Sequence, residues 1–366
     1  MIALLVAAAT SMIFTLLLTP LFAKAFRRLN LGQFIRADTP TTHVVKRGTP
    51  SMGGVVFITA SVVGYFLGKM VAGERPSASA LLVIMMMVGV GLVGFADDLM
   101  KVRRQNSLGV SGPYKIVGTV IVGVIFAVLA LNHRDAHGQT AASSAISFVR
   151  DIDGLNLVAL FGAGLGFVVF AIWVAFITTS VSNAVNLADG LDGLAAGASI
   201  FAIGSYVVIG FWQNKQSCYG VLQAVDQVKC YDVSNPLELA VIAAAIVGAV
   251  IGFLWWNTSP AQIMMGDTGA FGLGGALAAL AILSRTELLL VLIGGLFLII
   301  TGQVIVQRIY FKATRGKRIW RASPLHHHFE MKGWAEVTIV VRFWIISGLF
   351  VAAGIGIFYI EWVTRS

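Results

Sequence analysis

Ten runs of mostly apolar residues recur along the chain, each about long enough to cross a hydrocarbon layer of ~30 Å as a helix. They lie near 2–23, 52–70, 79–96, 115–131, 159–181, 194–212, 237–256, 269–284, 288–309 and 338–360. In lipid, every backbone N–H and C=O has to find a partner within the protein, so only helices or a closed barrel can span. Barrel strands are about ten residues long and alternate apolar with polar side chains; these runs are longer and do not alternate. The expected fold is therefore an all-α integral membrane protein, a bundle of about ten transmembrane helices forming one polytopic domain over 1–366. A chain that is 57% hydrophobic and 12% charged is outside the range of soluble domains. The first run has no basic residue ahead of it and is long enough to span, so it reads as a helix and not as a cleaved leader.

The formal charge of +9 would point to nucleic acid if it were spread over a soluble surface. Here it is sided. One alternating set of loops holds seventeen Lys and Arg, the other set eight, and Arg342 lies inside the last run. By the positive-inside rule the first set is cytoplasmic and both termini lie outside. The net charge is then largely topology, and no nucleic acid partner is needed. Cys218 and Cys230, the only two cysteines, share the outer loop 213–236. Two cysteines cannot complete a structural zinc site, which leaves a disulfide or two thiols. The other long outer loop, 132–156, is polar with room for a short hairpin, and no catalytic pattern is visible in it.

Every conspicuous polar motif falls on the cytoplasmic set of loops. The segment 183–194 carries Asn183, Asn186, Asp189 and Asp192 interleaved with Gly190 and Gly193. Asp189 and Asp192 are three residues apart and would share a face of a helical turn. Ionisable groups at a membrane-helix end are costly and are usually functional. Mg²⁺ takes one or two carboxylates and completes its octahedron with water and phosphate oxygens. The third run ends in Asp97-Asp98. Neighbours on a helix diverge by about 100°, so one acid is expected to face a site while the other orients a neighbour; two like charges this close also raise at least one pKa, which suits a general base. Asp267, between Gly266 and Thr268-Gly269, is placed to cap a helix or to ligate a metal. Lys46-Arg47 before Gly48-Thr49-Pro50, and Lys115 at a helix entrance, fit either phosphate contacts or membrane anchoring. His326, His327 and His328 are consecutive, which is wrong for a helical zinc motif, but they can donate hydrogen bonds to phosphate.

In this order, Asp97-Asp98, the Asn186-to-Gly193 segment, Met265-Gly266-Asp267 and the Pro324-to-Glu330 run resemble the polyprenyl-phosphate N-acetylhexosamine 1-phosphate transferases. The resemblance covers nearly the whole chain except the outer loops. The triple histidine and the Lys46-to-Gly54 segment are similar to the branch that uses UDP-N-acetylmuramoyl-pentapeptide. It implies transfer of the sugar phosphate to undecaprenyl phosphate, release of UMP, and a site on the cytoplasmic face of a bacterial inner membrane. By the same resemblance Asp267 is the Mg²⁺ ligand, and Asp97 is the base with Asp98 beside it. Asp189 and Asp192 line the nucleotide and diphosphate site. Asn183, Asn186 and Asn257 bond substrate, Lys46 and Lys115 contact phosphate or uridine, and His326, His327 and His328 complete the sugar-diphosphate side. Met264 stands where the family often has Phe, and Ala270 where Ser is common; a thioether would then pack on the uracil ring.

Two other readings are kept beside this one. A sister transferase would move a different N-acetylhexosamine phosphate, and a transporter would use its acids as proton relays. The transporter reading predicts acids near span centres and internal repeats, whereas these acids lie at span ends and no repeat is visible. The lipid bilayer is a partner by composition. A homodimer is open, since nothing in the sequence sets the number of subunits.

Overall fold

A computed structural model describes residues 1–28, 48–104, 109–135, 137–219 and 229–365. Its elements are α1 (Ile2–Arg28), α2 (Gly54–Ala72), α3 (Ala78–Arg103), α4 (Gly112–Asn132), β1 (Ala145–Ser147), β2 (Asp151–Asn156), α5 (Leu157–Ala188), α6 (Leu194–Lys215), α7 (Pro236–Asn257), α8 (Gly266–Leu283), α9 (Leu290–Ile293), α10 (Gly295–Ala313), α11 (Leu325–Glu330) and α12 (Glu336–Thr364). Ten of the helices are long and apolar enough to span a membrane, so the all-α multi-pass architecture holds. Two expected spans change: the run 159–181 is kinked at Gly162, whose φ is +78° inside α5. The run 288–309 is broken into α9 and α10 at Gly294. Apolar composition continues across the break, but at Gly295 α12 comes so close that a Cβ would lie 2.4 Å from the Phe350 ring.

Helix α8 is the axis of the bundle. Every residue from Thr268 to Leu283 is buried, and the helix packs mainly against α3 and α5. Small residues make this possible, because membrane helices associate by close van der Waals packing and not by expulsion of water. A Cβ at Gly94 on α3 would sit 2.2 Å from the Asp267 carbonyl oxygen. That contact is with backbone, so no rotamer change can relieve it. Gly94→Ala is expected to force α3 away from the start of α8 and cost about 1–3 kcal/mol; a thermal midpoint and turnover unchanged from wild type would show the contact to be slack. Around this core, α1 buries Ala3, Ala7, Ser11, Thr15, Thr19 and Ala23, a small-residue stripe at every fourth position facing α2 and α7.

The two long loops of the expected outer side meet at the end of the bundle opposite the polar motifs. The 132–156 loop forms the antiparallel β1–β2 hairpin. Cys218 and Cys230 are disulfide-bonded. Arg150, after β1, pairs with Glu361 of α12 at 3.2 Å, lies 3.8 Å over the Tyr231 ring, and donates to the carbonyls of Lys229 and Cys230. These contacts fasten the cystine loop to the last helix. Replacing both cysteines with Ser should leave turnover within a few fold, because no catalytic cluster lies nearby among the described residues; a loss as large as that from an active-site acid would contradict this.

At the same end Glu287 is buried between α8 and α9, accepting from the Ser147 N–H at 3.1 Å. Burial pushes its carboxyl up to about 8. The folded state therefore holds this proton over a range in which an unfolded Glu has lost it. The stability it contributes is complete below the ordinary carboxylate pKa and disappears as pH rises through about 8. Glu287→Gln keeps the acceptor and removes the titration. Its thermal midpoint should gain on wild type between pH 6 and pH 9; parallel curves would exclude the effect.

Candidate active site

The acids converge at the entrance of α8. The carboxylates of Asp97, Asp98 and Asp267 each offer an oxygen within 4.8 Å of the others. Asp97 and Asp98 do different jobs, as their divergence on α3 requires. Asp98 accepts from the Asp267 N–H at 3.1 Å, the Thr268 N–H at 2.9 Å and the Thr268 hydroxyl at 2.7 Å. It thus caps the first turn of α8 from a neighbouring helix, satisfying N–H groups that have no partner inside α8. Asp97 is fully buried and accepts from the Val110 N–H at 2.6 Å. Asp267 lies between two cations.

Those cations are Lys101 and Lys115. Lys101 Nζ lies 2.6 Å from Asp97 and 3.2 Å from Asp267. Lys115 Nζ lies 2.9 Å from Asp97 and 2.7 Å from Asp267. Asn186 Nδ2 donates to Asp267 at 3.0 Å. Lys101 was not singled out from the sequence, where it reads as one of several positive anchors. Its signal was its spacing: four residues after Asp97, it is on the same helical face. Three carboxylates meet two ammonium groups, leaving the cluster net acidic. The donors nearest one another are all hard oxygens, which fits a small divalent cation of the Mg²⁺ class.

The segment after α5 forms the next wall. Asp189, at the end of α5, has no ion-pair partner among the described residues. Burial, with the charges of Asp267, Asp98 and Asp192, pushes its carboxyl up to about 8, so a cation brought beside it would drive its proton off. Asp192 instead accepts from the Ala261 N–H at 3.0 Å, while its own N–H donates to Glu336 at 2.9 Å. Asn257 is buried; its Oδ1 accepts from Gly193 N–H and its Nδ2 donates to the Ile263 carbonyl. Trp344 Nε1 donates to the Gly193 carbonyl. Asp192, Asn257, Glu336 and Trp344 together fix the turn that carries Asp189. Asn183 donates back to the Thr179 carbonyl. Glu336 and Trp344 gave no sequence signal, since their partners are backbone groups far away in the chain.

The histidines close the other wall. Gly190 makes room for them: a Cβ there would meet His326 Nε2 at 2.1 Å. His327 bonds Glu330 at 2.6 Å. His328 Nδ1 accepts from the Arg321 N–H at 3.1 Å, and desolvation with the nearby Lys332 and Arg321 charges keeps its ring below the usual histidine range. Met264 is half-buried, its N–H on the Pro50 carbonyl and its carbonyl taking the Gly53 N–H. Lys46 lies outside the described residues. The structure therefore brings together Asp97, Asp98, Lys115, Asn186 and Asp267, with Asp189, Asp192, Asn257 and His326 around them.

The model of glycosyl transferase family 4 matches residues 80–285, and a phospho-N-acetylmuramoyl-pentapeptide-transferase signature matches residues 46–58. The chain is 63% identical to the phospho-N-acetylmuramoyl-pentapeptide-transferase of Clavibacter michiganensis subsp. michiganensis, with 100% of both chains covered. It is 55% identical to that of Arthrobacter sp., with 99% of both covered, and 54% identical to that of Kineococcus radiotolerans, with 98% of both covered.

Proposed function

Because the chain belongs to the phospho-N-acetylmuramoyl-pentapeptide-transferases of glycosyl transferase family 4, we propose that it transfers phospho-N-acetylmuramoyl-pentapeptide from its UDP carrier to undecaprenyl phosphate in peptidoglycan synthesis. The observation that carries this reading is the meeting of Asp97, Asp267, Lys101, Lys115 and Asn186, from four helices, at one end of a membrane bundle. That end is where a soluble diphosphate and a lipid phosphate can both reach.

In this reading an oxygen of the lipid phosphate attacks the β-phosphorus of the donor. The bond from that phosphorus to the bridging oxygen breaks, and UMP leaves with the electron pair. Asp97 takes the proton of the lipid phosphate. Lys101 and Lys115 exchange carboxylate partners for phosphate oxygens and hold the two anions in line. His326, His327 and His328 face the sugar-diphosphate side, Asp189 and Asn186 the nucleotide and diphosphate. Asp267 would hold Mg²⁺, which when bound supplies charge neutralisation for the diphosphate. Asp98 keeps Asp267 in place.

The decisive assay gives purified protein undecaprenyl phosphate and radiolabelled UDP-N-acetylmuramoyl-pentapeptide. Label should pass to the lipid phase with UMP release, and chelation of divalent metal should stop it. Preference for a UDP-N-acetylhexosamine without peptide would transfer the assignment to a sister activity. The seventeen-to-eight distribution of cations supports placing the site at the cytoplasmic face of the bacterial cytoplasmic membrane. A cysteine placed at the exposed Lys317, with the native pair removed, should resist an impermeant thiol reagent in intact cells; strong labelling would invert the topology.

A further inference from the structure

Helix α10 is mostly exposed on its apolar sides, yet it buries two amides, Gln303 and Gln307. They are one turn apart and share a face. Buried amides in a membrane helix are costly unless fully bonded, and these are bonded to one irregular segment. Gln307 Oε1 accepts from the N–H groups of Ile319 and Trp320, both at 3.1 Å, and its Nε2 donates to the Trp320 carbonyl at 3.2 Å. Gln303 Nε2 donates to the Ala322 carbonyl at 3.3 Å, and its Oε1 accepts from the Ser323 hydroxyl at 3.0 Å. The two side chains act as a short strand edge, against which the chain is laid as it runs back along α10.

That segment leads straight into the histidines. The Arg321 N–H, between the two clamped stretches, is the group that bonds His328 Nδ1. Pro324 and Leu325 then start α11, whose His326 ring is seated against Gly190. We propose that Gln303 and Gln307 are positioning residues for transfer: they set the register of 319–323 on α10 and so hold His326, His327 and His328 against the donor. This rests on the functional reading above, in which the histidines meet the sugar-diphosphate side.

Gln307→Leu keeps the bulk and removes three hydrogen bonds; Gln303→Leu removes two. Two measurements test the proposal. Without substrate, amide hydrogen exchange over 317–330 should quicken in both variants while the α8 amides stay protected. With substrates, KM for the UDP donor should rise by about tenfold, as expected for a few weakened hydrogen bonds, with KM for undecaprenyl phosphate unchanged. The effect should also depend on the histidine: in a His328→Ala background, Gln307→Leu should add less than about threefold. Full multiplication of the two defects, or unchanged exchange in both leucine variants, would overturn the proposal while leaving the functional reading intact. A wild-type protein that fails to transfer the peptide-bearing sugar would overturn both.

Discussion

Asp267→Asn is expected to lower turnover on the order of 10²-fold or more and to raise the concentration of Mg²⁺ needed for what remains. The amide keeps the shape of the side chain and can still accept from Lys115, now 2.7 Å from the carboxylate, but it loses the charge that would hold a divalent ion. It also changes the balance of the cluster. With the acid gone, two lysines face Asp97 and Asp98 alone, so the site becomes neutral where it was net acidic. Binding of the anionic donor should survive, and KM should move far less than kcat. Titration of Mg²⁺ against turnover checks this. A variant with the wild-type metal requirement and near wild-type kcat would remove Asp267 from the site.

What could be read from the sequence follows the range of the physics involved. Run length and uniform apolarity are local properties, so ten helices were visible. The break at Gly294 was not, because apolar residues run straight through it and leave no polar signal at the interruption. The different orientations of Asp97 and Asp98 followed from the helical repeat. That both would nevertheless lie within 4.8 Å of Asp267 did not follow, because it depends on α3 and α8 closing at Gly94. Lys101 was visible in spacing and hidden by its surroundings, a basic stretch that the positive-inside rule explains equally well. Asn257, a substrate contact by the family resemblance, has in the fold a further part that its sequence did not show: its amide also ties the Gly193 N–H to the Ile263 carbonyl. The Gln303 and Gln307 pair was invisible, because its partners, backbone groups and the Ser323 hydroxyl, belong to a segment with no regular structure.

Asp97→Asn should be as inactive as Asp267→Asn under standard conditions, and it should differ in what restores it. If Asp97 removes the proton of the lipid phosphate, its loss should cost roughly 10²–10⁴-fold. Added Mg²⁺ should not help, since proton removal is the missing step. Alkaline pH should: a phosphate monoester loses its second proton near pH 6 in water, but beside the net acidic cluster and the donor diphosphate like-charge repulsion holds that proton to higher pH, so raising the pH ionises the acceptor without a base. The wild-type rate should then change little between pH 7 and 9 while the variant gains on it. The interpretation is protected by the geometry. Asp97 touches Lys101 and Lys115 as well as the Val110 N–H, so a merely structural loss would disturb the lysines and raise KM for the donor at every pH. Rescue by pH with KM unchanged separates the base from the scaffold. If Asp97→Asn recovers with Mg²⁺ instead, and Asp267→Asn does not, the two acids exchange roles. If the pH profiles of variant and wild type are parallel, Asp97 is not the base.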